Sequence, residues 1–275
     1  MTPLPPGAPT TETRLPPLLE GKVGVVSGVG PGLGRSIALA FAQAGAAVVL
    51  AARTELYLAE VQARVEDLGG RAQGVVTDIT DPAQCDRLVQ AAVDTYGRLD
   101  VLVHNAASPD RGGRFATVDL AEWRRLMDVN LFGALTLTHS AIPALRDAGA
   151  GSIVFVNSMI VRAVQPNLGG YATSKAALLS AAHVLARELG PDQIRVNSIV
   201  PGWLWGPSVE RVLRRRASDQ GRSVEEQVAE ITARIPLGVI PSSDDAANAV
   251  VFFASDLSSV ITGQSLDVNG GEVFH

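Results

Sequence analysis

Lysine is nearly missing from this 275-residue chain: Lys22 and Lys175 stand against 21 arginines. A single cysteine, Cys85, excludes an intrachain disulfide and a cysteine-cluster metal site. The four histidines, at positions 104, 139, 183 and 275, lack a metal-binding spacing such as His-Glu-x-x-His, so no metal is expected. His139 and His183 fall within helical patterns, where core or surface roles are the simpler reading. No run of about 18 apolar residues is present, so no membrane helix is expected. The net charge of −5 argues against a nucleic-acid partner, which favours a basic domain. The first residues lack the basic start and apolar stretch of a secretory signal. With the lone cysteine, that fits a cytoplasmic protein.

What is present is an ordinary globular composition, 47% hydrophobic and 19% charged, in a chain long enough to bury a sizeable core. Residues 1–20 carry six prolines and read as a flexible arm. From Lys22 the pattern alternates. Short apolar runs predict strands over 23–27, 46–52, 72–78, 99–106, 151–158, 194–202 and 264–271. Stretches of helical spacing lie between them: 34–45, 55–70, 81–96, about 120–147, 171–189, polar helical material to about 235, and 243–255. Apolar runs of this kind suit strands buried on both faces. The expectation is one α/β domain over 21–275, a Rossmann-like doubly wound parallel sheet of seven strands.

In such sheets ligands bind beyond the carboxyl ends of the strands. After the first strand comes "SGVGPGLGRS", with glycines at 28, 30, 32 and 34. Where side chains are missing at a helix start, backbone N–H groups and the positive helix end can approach a pyrophosphate. The alternative is a mere glycine-rich turn. After the second strand an NAD site usually carries an acid that bonds the ribose 2′-hydroxyl. Here Ala52 takes that place and Arg53 follows, and an arginine fork suits a 2′-phosphate. This favours NADP(H) over NAD(H), although Glu55 is nearby.

These residues resemble the short-chain dehydrogenase/reductase family over roughly 21–272. "SGVGPGLG" resembles its Thr-Gly-x-x-x-Gly-x-Gly, with Ser27 in place of threonine. "HNAA" resembles its Asn-Asn-Ala-Gly, keeping Asn105 and Ala106 but placing His104 first. "DVN" supplies Asn130. Ser158 lies 13 residues before Tyr171, and Tyr171 with Lys175 forms Tyr-x-x-x-Lys. Pro201-Gly202 matches the family's Pro-Gly. Asp78 matches an acid that contacts adenine. One departure is Gly206, where the family often has a threonine for the nicotinamide carboxamide.

The resemblance implies a cofactor site from Ser27, Gly28, Gly32, Leu33, Gly34, Arg53, Asp78, Ile79, Asn105, Ala106, Tyr171, Lys175, Pro201 and Gly202. It implies a catalytic set of Asn130, Ser158, Tyr171 and Lys175. Ser158 would hydrogen-bond the substrate oxygen, and Asn130 would support a water-mediated proton path. It also implies a homotetramer, or a homodimer, paired through the two long helices and the last strand region. The Ala-rich stretch at 176, 177, 181 and 182 would permit such close packing, and core packing explains it equally well.

The chemistry of Tyr-x-x-x-Lys follows from elementary numbers. A ketone reduced by hydride needs a proton on its oxygen, and a phenol with a pKa near 10 gives it up slowly at neutral pH. A unit positive charge about 4 Å away supplies about 4 kcal/mol toward lowering that pKa at an effective dielectric of about 20. Residues four apart share one helix face, so Lys175 is placed to act on Tyr171. A compact ammonium suits that task better than a guanidinium.

The substrate is less legible. Residues 203–238 are expected to form a lid. Met159, Trp203 and Trp205 are candidate substrate contacts, pointing to a small or cyclic apolar carbonyl compound, although packing against the lid explains the tryptophans too. The basic run 211–216 reads as a solvated helix face or as a contact for an acyl carrier or coenzyme A. Three functions remain open: a carbonyl reductase/alcohol dehydrogenase, a 3-oxoacyl-thioester reductase, and a non-catalytic dinucleotide-binding protein.

Overall fold

The structure is a computed structural model and describes residues 17–275. Most of the arm expected over 1–20 lies outside the described residues. Leu19 belongs to the folded body: it is fully buried, and its N–H donates to the Ala44 carbonyl at 2.8 Å.

The strands are β1 (Val23–Ser27), β2 (Ala47–Ala52), β3 (Arg71–Val76), β4 (Val101–His104), β5 (Gly151–Val156), β6 (Ile194–Pro201) and β7 (Ser265–Val268). They form one parallel seven-stranded sheet in the order β3-β2-β1-β4-β5-β6-β7. Central strands β1, β4 and β5 are buried along their whole length, which is why they read as continuous apolar runs. Gly24 interrupts β1 because a Cβ there would meet the Phe41 ring at 2.8 Å.

The helices are α1 (Leu33–Gln43), α2 (Glu55–Asp67), α3 (Pro82–Tyr96), α4 (Leu120–Met127), α5 (Ala134–Asp147), α6 (Gly169–Leu189), α7 (Pro207–Gln220), α8 (Val224–Thr232) and α9 (Ser243–Ala254). Local chemistry sets several ends. Asp81 caps α3 by accepting from Gln84 N–H, Pro82 opens its first turn, and left-handed Gly97 (φ 80°) ends it. Ser242 and Asp245 form a reciprocal capping box on α9. One sheet face packs on α3, α5 and α6, with Leu102, Leu137, Phe155 and Leu178 in its core. The other packs on α1, α2 and α9 around Phe41, Leu50, Val103 and Phe253. A small separate cluster of Leu213, Ile231 and Ile235 holds the α7–α8 region together.

The single helix expected over 120–147 is interrupted. A π-helical segment, Asp128–Gly133, lies between α4 and α5. Gly133 sits in it because Ile79 presses close: a Cβ would meet Ile79 Cγ1 at 2.8 Å. Such wide turns rotate side chains off the regular helical positions, and this one holds Asn130. The last strand is shorter than expected because Gly270 and Gly271 both adopt positive φ and turn the chain away.

Candidate active site

The crevice at the carboxyl ends of β1 and β4 is where the chain order reverses, since β1 leads outward to β2 while β4 opens the other half. Two glycines are required there by contact. A Cβ on Gly28 would lie 2.4 Å from the Ala106 backbone, and one on Gly34 would lie 2.3 Å from the Gly28 carbonyl. Asn105 Nδ2 donates to that same carbonyl at 2.8 Å, and buried Ser27 donates to the Val103 carbonyl at 3.2 Å. Gly32 differs. It has φ 132° and open space where a Cβ would stand, and it precedes α1 with no side-chain cap and no acid in the first turn. A bare helix N-terminus with room beside it fits a dinucleotide pyrophosphate. Leu33 opens α1 and packs on the core.

Arg53 is exposed just beyond β2 and makes no ion pair among the described residues. Asp78 accepts from Thr80 N–H at 2.9 Å and from the Thr80 hydroxyl at 2.7 Å. Ile79 is buried against Gly133, so any approach to a cofactor would be through its backbone or the edge of its side chain.

Asn130 is buried in the π segment. Its Oδ1 accepts from Ser108 N–H at 2.7 Å, and its Nδ2 donates to Ser174 Oγ at 3.0 Å. Ser174 in turn donates to the Tyr171 carbonyl at 2.8 Å. Ser158 lies just beyond β5 and caps the short 3₁₀ turn Met159–Val161 by accepting from Ile160 N–H at 3.3 Å. Lys175 is 2% exposed, donates to the Val156 carbonyl at 2.8 Å, and lies 5.8 Å from the Tyr171 ring centre. The four expected catalytic residues thus converge from the π segment, the end of β5 and the first turns of α6.

Burial lowers the Lys175 pKa to about 8. The Tyr171 phenol is raised above its ordinary value by desolvation, while hydrogen bonding to Ser158 acts in the lowering direction. In the cofactor-free chain desolvation outweighs the lowering expected from Lys175. In the chain by itself the lysine is desolvated too, its ammonium is committed to the Val156 carbonyl, and the loss of water around the phenol dominates.

His104 is a further group buried beside this set. Thr138 Oγ1 donates to the Ala134 carbonyl at 2.9 Å and lies 2.8 Å from His104 Nε2. The hydroxyl has one proton, so Nε2–H is assigned as donor to Thr138 and Nδ1 carries the lone pair. Nδ1 is buried without a partner among the described residues, and the ring stacks on Phe155 at 4.7 Å. Burial first, and the Lys175 charge second, push its pKa down to about 3.

On the substrate side, Met159 is buried against Gly202, where a Cβ would lie 3.1 Å from Met159 Sδ. Trp203 packs on the lid cluster with the Arg216 guanidinium 5.1 Å from its ring centre, and its indole N–H is buried without a partner among the described residues. Trp205 is 40% exposed, and its backbone N–H donates to the Pro241 carbonyl at 2.7 Å. Pro201 ends β6. Gly206 is extended and precedes α7, and a Cβ there would lie 3.7 Å from Ser243 Oγ. Asp110, Ser108 and Ser174 were not singled out by the sequence. Asp110 and Ser108 lie in the loop after β4 and Ser174 lies in α6, and their partners are far away in sequence or on the backbone, so no local pattern marks them.

The sequence matches, over residues 28–272, the family described as enoyl-(acyl carrier protein) reductase. It is 34% identical to the 3-oxoacyl-[acyl-carrier-protein] reductase FabG of Thermotoga maritima, covering 93% of this chain and 99% of that one. The chain belongs to the short-chain dehydrogenase/reductase family. It is 31% identical to the 7alpha-hydroxysteroid dehydrogenase of Escherichia coli (strain K12), covering 93% and 95% of the two chains. A structure of 7alpha-hydroxysteroid dehydrogenase complexed with NADH and 7-oxo glycochenodeoxycholic acid superposes with a TM-score of 0.85 at 31% identity, over 94% of this chain and 96% of that one. A structure of an actinorhodin polyketide ketoreductase variant with NADPH gives a TM-score of 0.86 at 30% identity, over 91% and 97%. The protein is therefore an NAD(P)-dependent oxidoreductase of this family, acting on CH–OH groups. No helix among the described residues is long and apolar enough to cross a membrane.

Proposed function

We propose that the protein uses NADP(H) to interconvert a ketone and a secondary alcohol on a small or cyclic apolar substrate. The observation that carries this reading is the convergence of Ser158, Tyr171 and buried Lys175 at the carboxyl end of β5, beside an open glycine-lined helix start. Bound there, the cofactor supplies the hydride and, once oxidised, a positively charged ring beside the phenol. The carbonyl oxygen accepts hydrogen bonds from Ser158 and Tyr171. As negative charge develops on it, the Tyr171 O–H bond breaks and the proton passes to the oxygen; in the reverse direction the phenolate takes it back. Lys175, held on the Val156 carbonyl, keeps donors to spare for a ribose hydroxyl and a positive charge for the phenolate. Asn130 fixes the π segment against Ser108 and Ser174, behind Tyr171. Gly28, Gly32 and Gly34 admit the pyrophosphate, and Arg53 takes the 2′-phosphate.

Met159 and Trp203, both packed among apolar groups, favour an apolar ring next to the reacting carbonyl. The second reading, a 3-oxoacyl-thioester reductase, is favoured by the FabG relatives. The lid arginines speak against it in part: Arg214 pairs with Glu210, Arg215 faces Asp219 at 3.9 Å, and Arg216 lies over Trp203. A homotetramer in the cytoplasm completes the proposal. Its support is the exposed apolar residues in the last part of the chain: Val260 is 95% exposed, Phe274 80% and Leu266 41%. Assay of cyclic ketones and of 3-oxoacyl thioesters with NADPH separates the two readings. Turnover of thioesters alone would reverse their order.

A further inference from the structure

The geometry points to Asp110 as a positioning residue for Tyr171, an inference that rests on Tyr171 being the proton donor. α6 begins with two glycines, Gly169 and Gly170, which favour helix least after proline. Both are there for contact: a Cβ on Gly169 would meet the Trp123 ring at 2.4 Å, and one on Gly170 would meet Leu126 Cδ1 at 2.7 Å. The helix has no side-chain cap of its own and no acid in its first turn. Its start is therefore weak where the reactive phenol is attached.

Asp110, in the loop between β4 and α4, supplies what is missing. Its Oδ2 accepts the backbone N–H of Tyr171 at 3.0 Å, while Oδ1 accepts Gly112 N–H at 2.8 Å and fixes the carboxylate's own loop. Next to it, Gly113 N–H donates to the carbonyl of Asn167, which holds a left-handed φ of 69° just ahead of α6. The loop after β4 and the loop before α6 are thus tied at two points around the Tyr171 turn. A carboxylate at a helix N-terminus also meets the positive end of the helix dipole. Proton transfer tolerates little displacement of the donor, so a loosened first turn costs rate while leaving the distant cofactor contacts alone.

The test compares native protein with D110A and D110N, using amide hydrogen exchange over residues 169–175 and steady-state kinetics with NADPH and the best ketone. Asparagine keeps one acceptor oxygen for Tyr171 N–H. For D110A the expectation is faster exchange in that turn and a fall in kcat of about tenfold, with KM and NADPH affinity changed less than about twofold; D110N restores most of both. Unchanged exchange in D110A, faster exchange without loss of kcat, or D110N as impaired as D110A overturns the proposal. If the native protein reduces no carbonyl compound, the proposed function fails separately. Exchange and the ultraviolet titration of the Tyr171 phenol, read against Y171F, then decide whether Asp110 holds the residue. Unchanged exchange and an unmoved phenol titration in D110A overturn the role.

Discussion

Lys175 Nζ sits 5.8 Å from the centre of the Tyr171 ring and donates to the Val156 carbonyl at 2.8 Å, one turn along α6 from the tyrosine. The lysine thus reaches back to the end of β5, where Ser158 also stands. A long flexible cation is fixed at one end by the sheet and shares a face with the phenol at the other. Its burial has a cost that can be measured.

A lysine whose folded pKa is about 8 instead of 10.5 binds fewer protons folded than unfolded between those values. Stability of the cofactor-free protein then rises with pH across that window. K175M, of similar length and uncharged, removes the desolvation cost. It should be more stable than native protein at pH 7, by an amount on the order of 3 kcal/mol at most. The difference should shrink toward pH 10. Denaturant melts at both pH values check this; a K175M variant less stable at pH 7 would show that the Val156 bond outweighs desolvation.

His104 works in the acid range. Its folded pKa of about 3 lies below the ordinary 6.5, so the unfolded chain binds the extra proton first. Stability is lost progressively as pH falls from about 6.5 toward 3. Replacing His104 by asparagine removes a titrating group and should flatten that part of the stability profile. Parallel acid slopes for H104N and native protein would refute the assignment.

Arg53 tests cofactor choice. A charge-assisted hydrogen bond to a 2′-phosphate is worth about 1.5–3 kcal/mol, so R53A should weaken NADPH binding about 10- to 100-fold and leave NADH within about twofold. Equal losses for both cofactors would make Arg53 a bystander.

Much of the fold was legible because buried parallel strands write themselves as apolar runs, as in "VGVVS" and "GSIVFV", and because capping residues such as Asp81 and Ser242 act locally. The glycines at 28 and 34 were legible as a group, but their reason, contact with Ala106 and with Asn105, is long-range. The π segment was hidden because helical spacing runs through it, and only the packing of Ile79 on Gly133 exposes it. The sign of the Tyr171 shift was missed because spacing reports the neighbouring charge but not the water excluded from the phenol. Asp110 was invisible for a related reason: its partner is a backbone N–H 61 residues away.

The most direct measurement is the turnover of Y171F on a ketone that the native protein reduces, with NADPH affinity followed in the same preparation. Loss of the phenolic proton removes general-acid catalysis worth about 10²- to 10⁴-fold. The predicted result is a fall of that size with NADPH binding unchanged within about twofold. Turnover within about tenfold of native, with cofactor bound normally, would contradict Tyr171 as the proton donor.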